Sequence, residues 1–286
     1  MRRIQSPIGL LLSLLALGAS GCAKKVEVVK GSCSTVYGGE VCTWGRMSGG
    51  ELVAFGATIP LSTVSGVPKN QPMTWPPVAD ATISFPVEVQ RATGFSNLTV
   101  YGEAMGHPPR PFLTPHFDFH FYTASMADIA AMSCADSSKP ANMPVGYKLY
   151  DEEIPGVGVL IGTCVPNMGM HAFNAPEFED TATFARTMIV GYYHGKPIFV
   201  EPMVSVASLL EKRDFSLAIP HVPDQPPNAR YPRSFQATFD SAAASYHFIF
   251  TDFGGASAQS RGTTTLPASL ASASGRPWRR KVGGTQ

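Results

Sequence analysis

The sequence predicts a mainly β fold: a sandwich or barrel-like single domain with one or two short helices. Short runs rich in β-branched and aromatic residues recur along the chain, bounded by Pro, Gly or Asn. The 25 Pro and 27 Gly residues interrupt the chain too often for long helices. With 44% hydrophobic residues among 286, the chain can build a sizeable core.

Nine segments have the composition of strands. They are residues 52–59, 82–89, 98–101, 116–122, 157–164, 182–193, 197–200, 234–239 and 245–253. Two short segments favour helix. Residues 125–132 begin with a Ser that can cap a helix, and residues 203–212 place apolar side chains at helical spacing.

Residues 1–21 have the organisation of a secretory signal peptide. Arg2 and Arg3 precede an apolar run that is shorter than the ~20 residues of a membrane-spanning helix. The ending ASGC resembles the lipobox of bacterial lipoproteins, although Ala19 stands where Leu is commonest. We therefore expect Cys22 to carry lipid, and ordinary cleavage with a free or disulfide-paired Cys22 is the alternative.

This interpretation divides the chain into four parts. After the signal peptide, residues 22–32 form a lipid-anchored tether, residues 33–260 a β-rich globular domain, and residues 261–286 a disordered basic tail. The mature protein is then an exported lipoprotein of the periplasm, the outer membrane or the cell surface. Its partner is the membrane, through the lipid on Cys22, and a homo-oligomer is compatible with this location.

Four cysteines remain after Cys22, an even number that suggests two disulfides in an oxidising compartment. Proximity favours Cys33–Cys42, across a hairpin whose turn holds Gly38 and Gly39, and Cys134–Cys164. Four cysteines allow three pairings, so the other two stay open. A four-cysteine zinc site is disfavoured because the C-x₂-C spacing is absent.

The charge distribution argues against a nucleic-acid partner. Without the signal peptide the chain has 20 Lys and Arg against 21 Asp and Glu, since two of the 22 basic residues are Arg2 and Arg3. Five basic residues and no acidic ones follow Asp252, so the preceding body has 15 basic and 21 acidic residues. An acidic body does not favour binding to phosphates.

The segment PHFDFHFY at residues 115–122 has a pattern that points to chemistry. Side chains alternate between the two faces of a strand, so His116, Asp118 and His120 share one face and three Phe residues share the other. The Phe face can anchor the strand in a core. The opposite face then presents two imidazoles and a carboxylate, which are metal ligands or acid–base groups held on a rigid element.

One strand cannot complete such a site, because residues four apart lie ~13 Å apart along it. We therefore expect ligands from other segments, with His171 and Glu201 as the main candidates and His107 as a weaker one. A shared ion requires the imidazoles of His120 and His171 to lie within ~4–5 Å of each other. We expect His194 in an exposed turn, and His221 and His247 to have no special role.

Other interpretations of these residues remain open. The polar strand face could be solvent-facing, a buried hydrogen-bond network, or a metal-free acid–base site. Glu201 could instead cap the first turn of the following helix. Met168 and Met170 are packing residues in the simplest interpretation, and a Met and His copper site is an alternative.

The strings PHFDFHFY, MGMH at residues 168–171 and VEPM at residues 200–203 resemble those of an uncharacterised family of exported bacterial β-rich proteins, a domain of unknown function. The similar order covers roughly residues 95–255. The resemblance implies a secreted β-rich domain without an assigned activity or catalytic residues. No nucleophile elbow, HExxH helix, P-loop or dinucleotide-binding fingerprint occurs in the sequence.

Two function hypotheses follow. The first is a metal-binding lipoprotein whose ligands are His116, Asp118, His120, His171 and Glu201. Nitrogen and oxygen ligands suit zinc, manganese, iron or copper without distinguishing them, and an ion with an open position could activate water for hydrolysis. The second is a non-enzymatic binding or assembly module of the envelope, in which the same strand face is structural. The sequence does not decide whether the protein is an enzyme.

Overall fold

A computed structural model describes residues 25–179 and 184–253. The predicted signal peptide, Cys22 and the basic tail lie outside these residues. The strands are β1 (Val26–Val36), β2 (Gly39–Ser48), β3 (Glu51–Pro60), β4 (Ala81–Ser84), β5 (Asn97–Glu103), β6 (His116–Tyr122), β7 (Tyr147–Leu149), β8 (Glu152–Ile154), β9 (Gly158–Leu160), β10 (Met170–Asn174), β11 (Arg186–Tyr193), β12 (Lys196–Ser205), β13 (Phe215–Ala218), β14 (Pro232–Asp240) and β15 (Ser245–Phe253).

These strands form two open antiparallel sheets and one small hairpin. The first sheet has the order β1-β2-β3-β15-β14-β13, and the second has the order β4-β5-β6-β12-β11-β10-β7. Strands β8 and β9 form a separate two-stranded hairpin. The predicted mainly β class is confirmed as a sandwich, and neither large sheet closes into a barrel.

Five helices of five to seven residues occur in the described part of the chain, more than the one or two predicted. They are α1 (Leu61–Ser65), α2 (Val87–Thr93), α3 (Met126–Ala130), α4 (Ala175–Glu179) and α5 (Val206–Leu210). Ser125 caps α3 as expected, since its side chain accepts a hydrogen bond from the Asp128 amide. None of the described helices has the length and hydropathy needed to cross a membrane.

The main core lies between the two sheets and is rich in Phe. Phe117, Phe119 and Phe121 of β6 are fully buried in it. The Phe119 ring lies 4.9 Å from Phe248, and the Phe121 ring lies 4.6 Å from Phe250, measured between centroids. The predicted Phe face of this strand therefore joins the second sheet to β15 of the first.

The other face of the second sheet is also buried. Segments 104–115, 123–146 and 150–169, on either side of β6 and β7, lie over it, and we call them the covering layer. Phe112, Ile129 and Met132 of this layer form a second apolar cluster with sheet residues such as Phe199 and Met203. Every residue of β6 is consequently buried, which excludes the solvent-facing alternative for its polar side chains.

Both predicted disulfides are present, Cys33–Cys42 and Cys134–Cys164. The first joins paired positions of β1 and β2. The hairpin turn consists of Tyr37 and Gly38, both at positive φ, rather than the predicted Gly38 and Gly39. This two-residue turn has the positive φ angles of a type I′ turn, which matches the twist of the flanking strands.

Several predicted boundaries are wrong where a short strand is followed by a helix or turn. Segment 82–89 contains only β4 before α2 begins at Val87, and segment 157–164 contains β9 followed by a 3-10 turn at Ile161–Thr163. Strand β12 continues to Ser205, so the predicted helix 203–212 is shortened to α5.

Strand β1 begins at Val26, inside the segment assigned to the tether, because this segment pairs in register with β2. Apolar and polar residues do not alternate clearly along β1, because most of this strand is exposed at the edge of the first sheet. Edge strands can carry polar side chains on both faces. Their composition is then similar to that of a tether, so the sequence alone does not separate the two.

We predict that Phe119→Ala lowers the free energy of unfolding by about 3–5 kcal/mol, because it leaves a cavity between the two sheets. Urea unfolding followed by circular dichroism measures this change. Leu113→Ala is the control: its side chain is 59% exposed, and we expect a change within about 0.5 kcal/mol. Equal effects of the two substitutions would contradict a Phe-dependent core.

Candidate metal centres

Two groups of ionisable side chains lie on the buried outer face of the second sheet. The outer triad consists of His107, His116 and Asp118, and the inner triad consists of His120, His171 and Glu201. Strand β6 contributes to both, since His116 and Asp118 belong to the first and His120 to the second. All six residues are buried except His107, whose side chain is 18% exposed.

The inner triad brings three strands together. Glu201 of β12 lies between the register pairs Phe199–Tyr122 and Met203–Asp118, which places it opposite His120 of β6. His171 of β10 lies two strands from β12 and three from β6, and its Nε2 is 3.3 Å from His120 Nε2. Glu201 Oε2 is 3.3 Å from His120 Nε2 and 3.9 Å from His171 Nε2.

Backbone packing allows this approach of the rings. Gly191 of β11 pairs with both His171 and Phe199, and a Cβ atom at position 191 would lie within the Phe199 ring. Without that Cβ, the Phe199 ring packs 4.7 Å from His120 and 5.2 Å from His171, between centroids. Phe199 thereby limits the orientations of both imidazoles.

The outer triad combines β6 with the covering layer. His107 comes from the segment before β6, and its Nε2 lies 3.2 Å from Asp118 Oδ2 and 3.1 Å from His116 Nε2. His116 Nε2 lies 3.1 Å from Asp118 Oδ1. The three groups therefore surround one point, as in the inner triad.

Three of the four imidazoles have one ring nitrogen committed to a backbone carbonyl. Nδ1–H of His107 donates to Pro108 (2.7 Å), that of His116 to Thr114 (2.7 Å) and that of His171 to Thr163 (3.0 Å). A carbonyl can only accept, so each Nδ1 carries the hydrogen and each Nε2 of the neutral ring presents a lone pair to its triad. Metal-binding histidines in proteins usually have this arrangement.

The spacing of the donor atoms fits one ion per triad. Ligands at ~2.1 Å from a common ion lie about 3.0 Å apart in octahedral and about 3.4 Å apart in tetrahedral geometry. The donor atoms of the outer triad are 3.1–3.2 Å apart, and those of the inner triad are 3.3–3.9 Å apart. Both triads could hold a metal ion without rearrangement of the backbone.

Burial keeps the inner imidazoles neutral. Burial, together with the neighbouring His171, lowers the pKa of His120 to about 3. Burial lowers the pKa of His171 to about 4, although its hydrogen bond to Thr163 acts in the opposite direction. Burial and the charge of Asp118 raise the pKa of Glu201 well above its usual value.

The outer triad has the opposite protonation pattern. Burial acts to lower the pKa of His107, but the hydrogen bond and the charge of Asp118 outweigh it and raise this pKa to about 9. Burial acts to raise the pKa of Asp118, but the adjacent imidazoles of His116 and His107 outweigh it and lower this pKa well below its usual range. The single Nε2–H group of His107 can donate to both Asp118 Oδ2 and His116 Nε2.

The inner triad is left with unpaired polar atoms. Among the described residues, neither carboxyl oxygen of Glu201 nor Nδ1 of His120 has a hydrogen-bond partner, and all three atoms are buried. Glu201 Oε2 is close to His120 Nε2, but the two are not aligned for a hydrogen bond. Buried carboxylates are almost always paired, so this arrangement needs an additional ligand or a proton.

The disulfide Cys134–Cys164 supports the position of His171. Thr163, whose carbonyl accepts the Nδ1–H bond of His171, directly precedes Cys164 in the covering layer. The Asn167 amide donates to the Met132 carbonyl, which joins the same two segments a second time. The covering layer is therefore cross-linked next to the group that orients His171.

A small cavity of about 50 Å³ lies beside both triads. The ionisable side chains in its wall are Glu103, His107, Asp118, His171 and Glu201. The rest of its wall is largely apolar and includes Met73, Trp75, Leu160 and Met168. His116 and His120 are absent from the wall, because they lie behind the other members of their triads.

The structure brings the five predicted site residues together but divides them between two triads. His120 and His171 meet within the distance that a shared ion requires, with Glu201 beside them. His116 and Asp118 turn instead toward His107, which the sequence ranked as a weaker candidate. The sequence does contain a signal for His107. It precedes Pro108 and Pro109, which favour a turn, and β6 begins only nine residues later, so the turn can place His107 beside this strand.

The remaining alternatives are resolved in part. The helix after β12 is capped by Ser205, so Glu201 does not cap it. Met170 is buried in the main core as a packing residue is, whereas Met168 is buried in the wall of the cavity beside the triads. His194 is exposed and pairs with Asp136 at 2.6 Å, as its predicted turn position suggests. Glu103, which the sequence did not single out, lies opposite His116 on β5 and reaches the cavity.

Comparisons with known proteins found no matching family model, no matching curated protein and no matching solved structure. The resemblance to an uncharacterised family of exported proteins therefore stays an expectation, and the interpretation of the site depends on its geometry.

We predict that His107 stabilises the metal-free protein in a pH-dependent way. Its pKa is higher in the folded state than the ~6.5 of an unfolded His, so its contribution is complete below pH ~6.5 and is lost as pH rises through about 9. The pH-dependent part of the difference in unfolding free energy between wild type and His107→Gln should be about 3 kcal/mol near pH 6 and be lost above pH ~9.

Urea titrations between pH 6 and 10 in the presence of a chelator measure this difference. His194→Gln is the matched control, because His194 makes its ion pair at the surface. A pH-independent difference for His107→Gln would contradict the proposed ion pair with Asp118.

Proposed function

We propose that this protein binds two divalent transition-metal ions, one in each triad. The observation that carries the proposal is the carboxyl group of Glu201, which is buried without a hydrogen-bond partner and faces two imidazole nitrogens at 3.3 and 3.9 Å. An ion at the centre of the inner triad would use the lone pairs that otherwise face each other. The outer triad offers the same ligand types at similar spacing.

The ligand sets restrict the kind of ion. Two imidazoles and one carboxylate in each triad suit zinc, manganese, iron or copper and disfavour calcium or magnesium, which prefer oxygen ligands. Three protein ligands leave at least one coordination position open. Zinc and iron(II) sites with two His and one carboxylate use such a position for water or substrate, and bound water becomes a nucleophile near neutral pH.

We also propose that the protein is exported and anchored by lipid on Cys22. The basic and apolar N-terminal segment followed by ASGC supports this proposal, and so do the two disulfides, which persist in oxidising compartments. The location would be the periplasm, the outer membrane or the cell surface.

A second candidate is the non-enzymatic envelope module in which the polar strand face is structural. The outer triad favours it in part, because one proton on His107 can bond both His116 and Asp118 Oδ2 without a metal, whereas Asp118 Oδ1 has no partner among the described residues. The inner triad does not favour it, since both carboxyl oxygens of Glu201 are buried there without a hydrogen-bond partner among the described residues.

We predict that the purified mature protein binds two ions, and that His120→Ala and His107→Gln each reduce the stoichiometry to one. Each variant removes a ligand from only one triad. Elemental analysis after dialysis against zinc or manganese measures the number of bound ions, and saturating metal should raise the melting temperature. His194→Ala, a change at an exposed imidazole, should retain two ions.

These variants also separate the two candidate functions. A wild-type protein that binds no metal and shows no metal-dependent rise in melting temperature would exclude the metal proposal. Under the structural alternative, His107→Gln and His120→Ala would lower stability by similar amounts with and without added metal.

We predict that metal binding at pH 7 releases roughly one proton per ion. The raised pKa of Glu201 leaves a proton to be lost from the inner triad, and the pKa of about 9 at His107 leaves one to be lost from the outer triad. Isothermal titration calorimetry in buffers with different ionisation enthalpies counts these protons. Binding without proton release would show that the triad carboxylates and imidazoles are not the ligands.

A further inference from the structure

The cavity beside the triads is not needed to explain how the triads hold metal ions. It contacts two members of each triad: His107 and Asp118 of the outer triad, and His171 and Glu201 of the inner triad. The third ligand of each triad lies on the far side, within the sheet. The open side of each coordination sphere therefore faces the same cavity.

The size of the cavity limits what can enter. A buried water needs ~10–15 Å³ of this kind of space, so about 50 Å³ holds about three to five water-sized groups. This corresponds to a ligand of about three to five non-hydrogen atoms. The apolar wall, with Met73, Trp75 and Leu160, offers few hydrogen-bond partners, so the polar end of such a ligand must face the triads.

The charge of the loaded site favours an anion. Two divalent ions bring four positive charges, and Asp118, Glu201 and Glu103 supply at most three negative charges. The surplus lies among side chains that are themselves buried, such as Asp118 and Glu201, where electrostatic attraction is stronger than in water. A small anion would neutralise it and fill the open coordination positions.

We infer that this cavity is a binding site for a small carboxylate, shared by the two ions of the proposed function and dependent on them. The ligand is an acetate-sized anion whose oxygens face the outer and inner triads and whose carbon end packs on the apolar wall. Larger carboxylates exceed the cavity. The natural substrate or effector of this protein then belongs to the class of short carboxylates.

Glu103 tunes the affinity of this site. Its carboxyl group lies on the cavity wall, but it belongs to neither triad. A negative charge there opposes an incoming anion. Its replacement by the neutral, nearly isosteric Gln should therefore tighten anion binding and leave the metal stoichiometry at two.

The experiment uses the mature protein loaded with cobalt(II), whose visible absorption reports changes in coordination. Titration with acetate should change the spectrum and saturate, whereas benzoate, with nine non-hydrogen atoms, should not. In Glu103→Gln the acetate affinity should rise severalfold. In His107→Gln, which retains only the inner ion, it should fall severalfold.

The outcomes are distinguishable from failure of the metal proposal. A protein that binds two cobalt ions but shows no spectral response to acetate overturns the inference and leaves metal binding intact. Equal affinities for acetate and benzoate, or an unchanged acetate affinity in Glu103→Gln or His107→Gln, would show that the anion binds outside this cavity. A protein that binds no cobalt removes the basis of both proposals.

Discussion

The burial of three imidazoles and two carboxylates on one sheet face, with the half-buried imidazole of His107 against them, is the constraint on which the rest of the structure depends. Removing such groups from water costs several kcal/mol each unless their polar atoms find partners. Three of the imidazoles obtain a partner for Nδ1 from backbone carbonyls, all of them in segments next to the strands rather than within the sheet. The covering layer is therefore required by the chemistry of the face it covers.

The covering layer and the sandwich meet in strand β6, which serves two cores at once. Its Phe side chains hold the second sheet against the first, and its polar side chains hold the triads. Because a strand has only two faces and both are filled, β6 has little freedom to shift or twist. The ligand positions are consequently fixed by the main core of the protein, and Cys134–Cys164 fixes the segment that closes over them.

The period of two in PHFDFHFY was sufficient to predict β6 and the division of its side chains between faces, because that division is local. The division of its polar residues between the outer and inner triads could not be predicted in this way. Glu201 meets His120 through strand register, and His171 arrives across two more strands, so both depend on long-range pairing. The covering layer was missed for a related reason: its segments are irregular, and irregular segments carry no periodic signal that shows which surface they bury.

The two triads differ in how they can exist before an ion binds. In the outer triad, the charge of protonated His107 is balanced by Asp118. In the inner triad, neutral imidazoles accompany a carboxyl group whose raised pKa favours the proton-bound form. Each triad is then close to electroneutral without metal, so folding can bury this sheet face without burying an uncompensated charge. Exchange of one proton for a divalent ion adds one positive charge to each triad, and the folded chain can make this exchange without moving its strands.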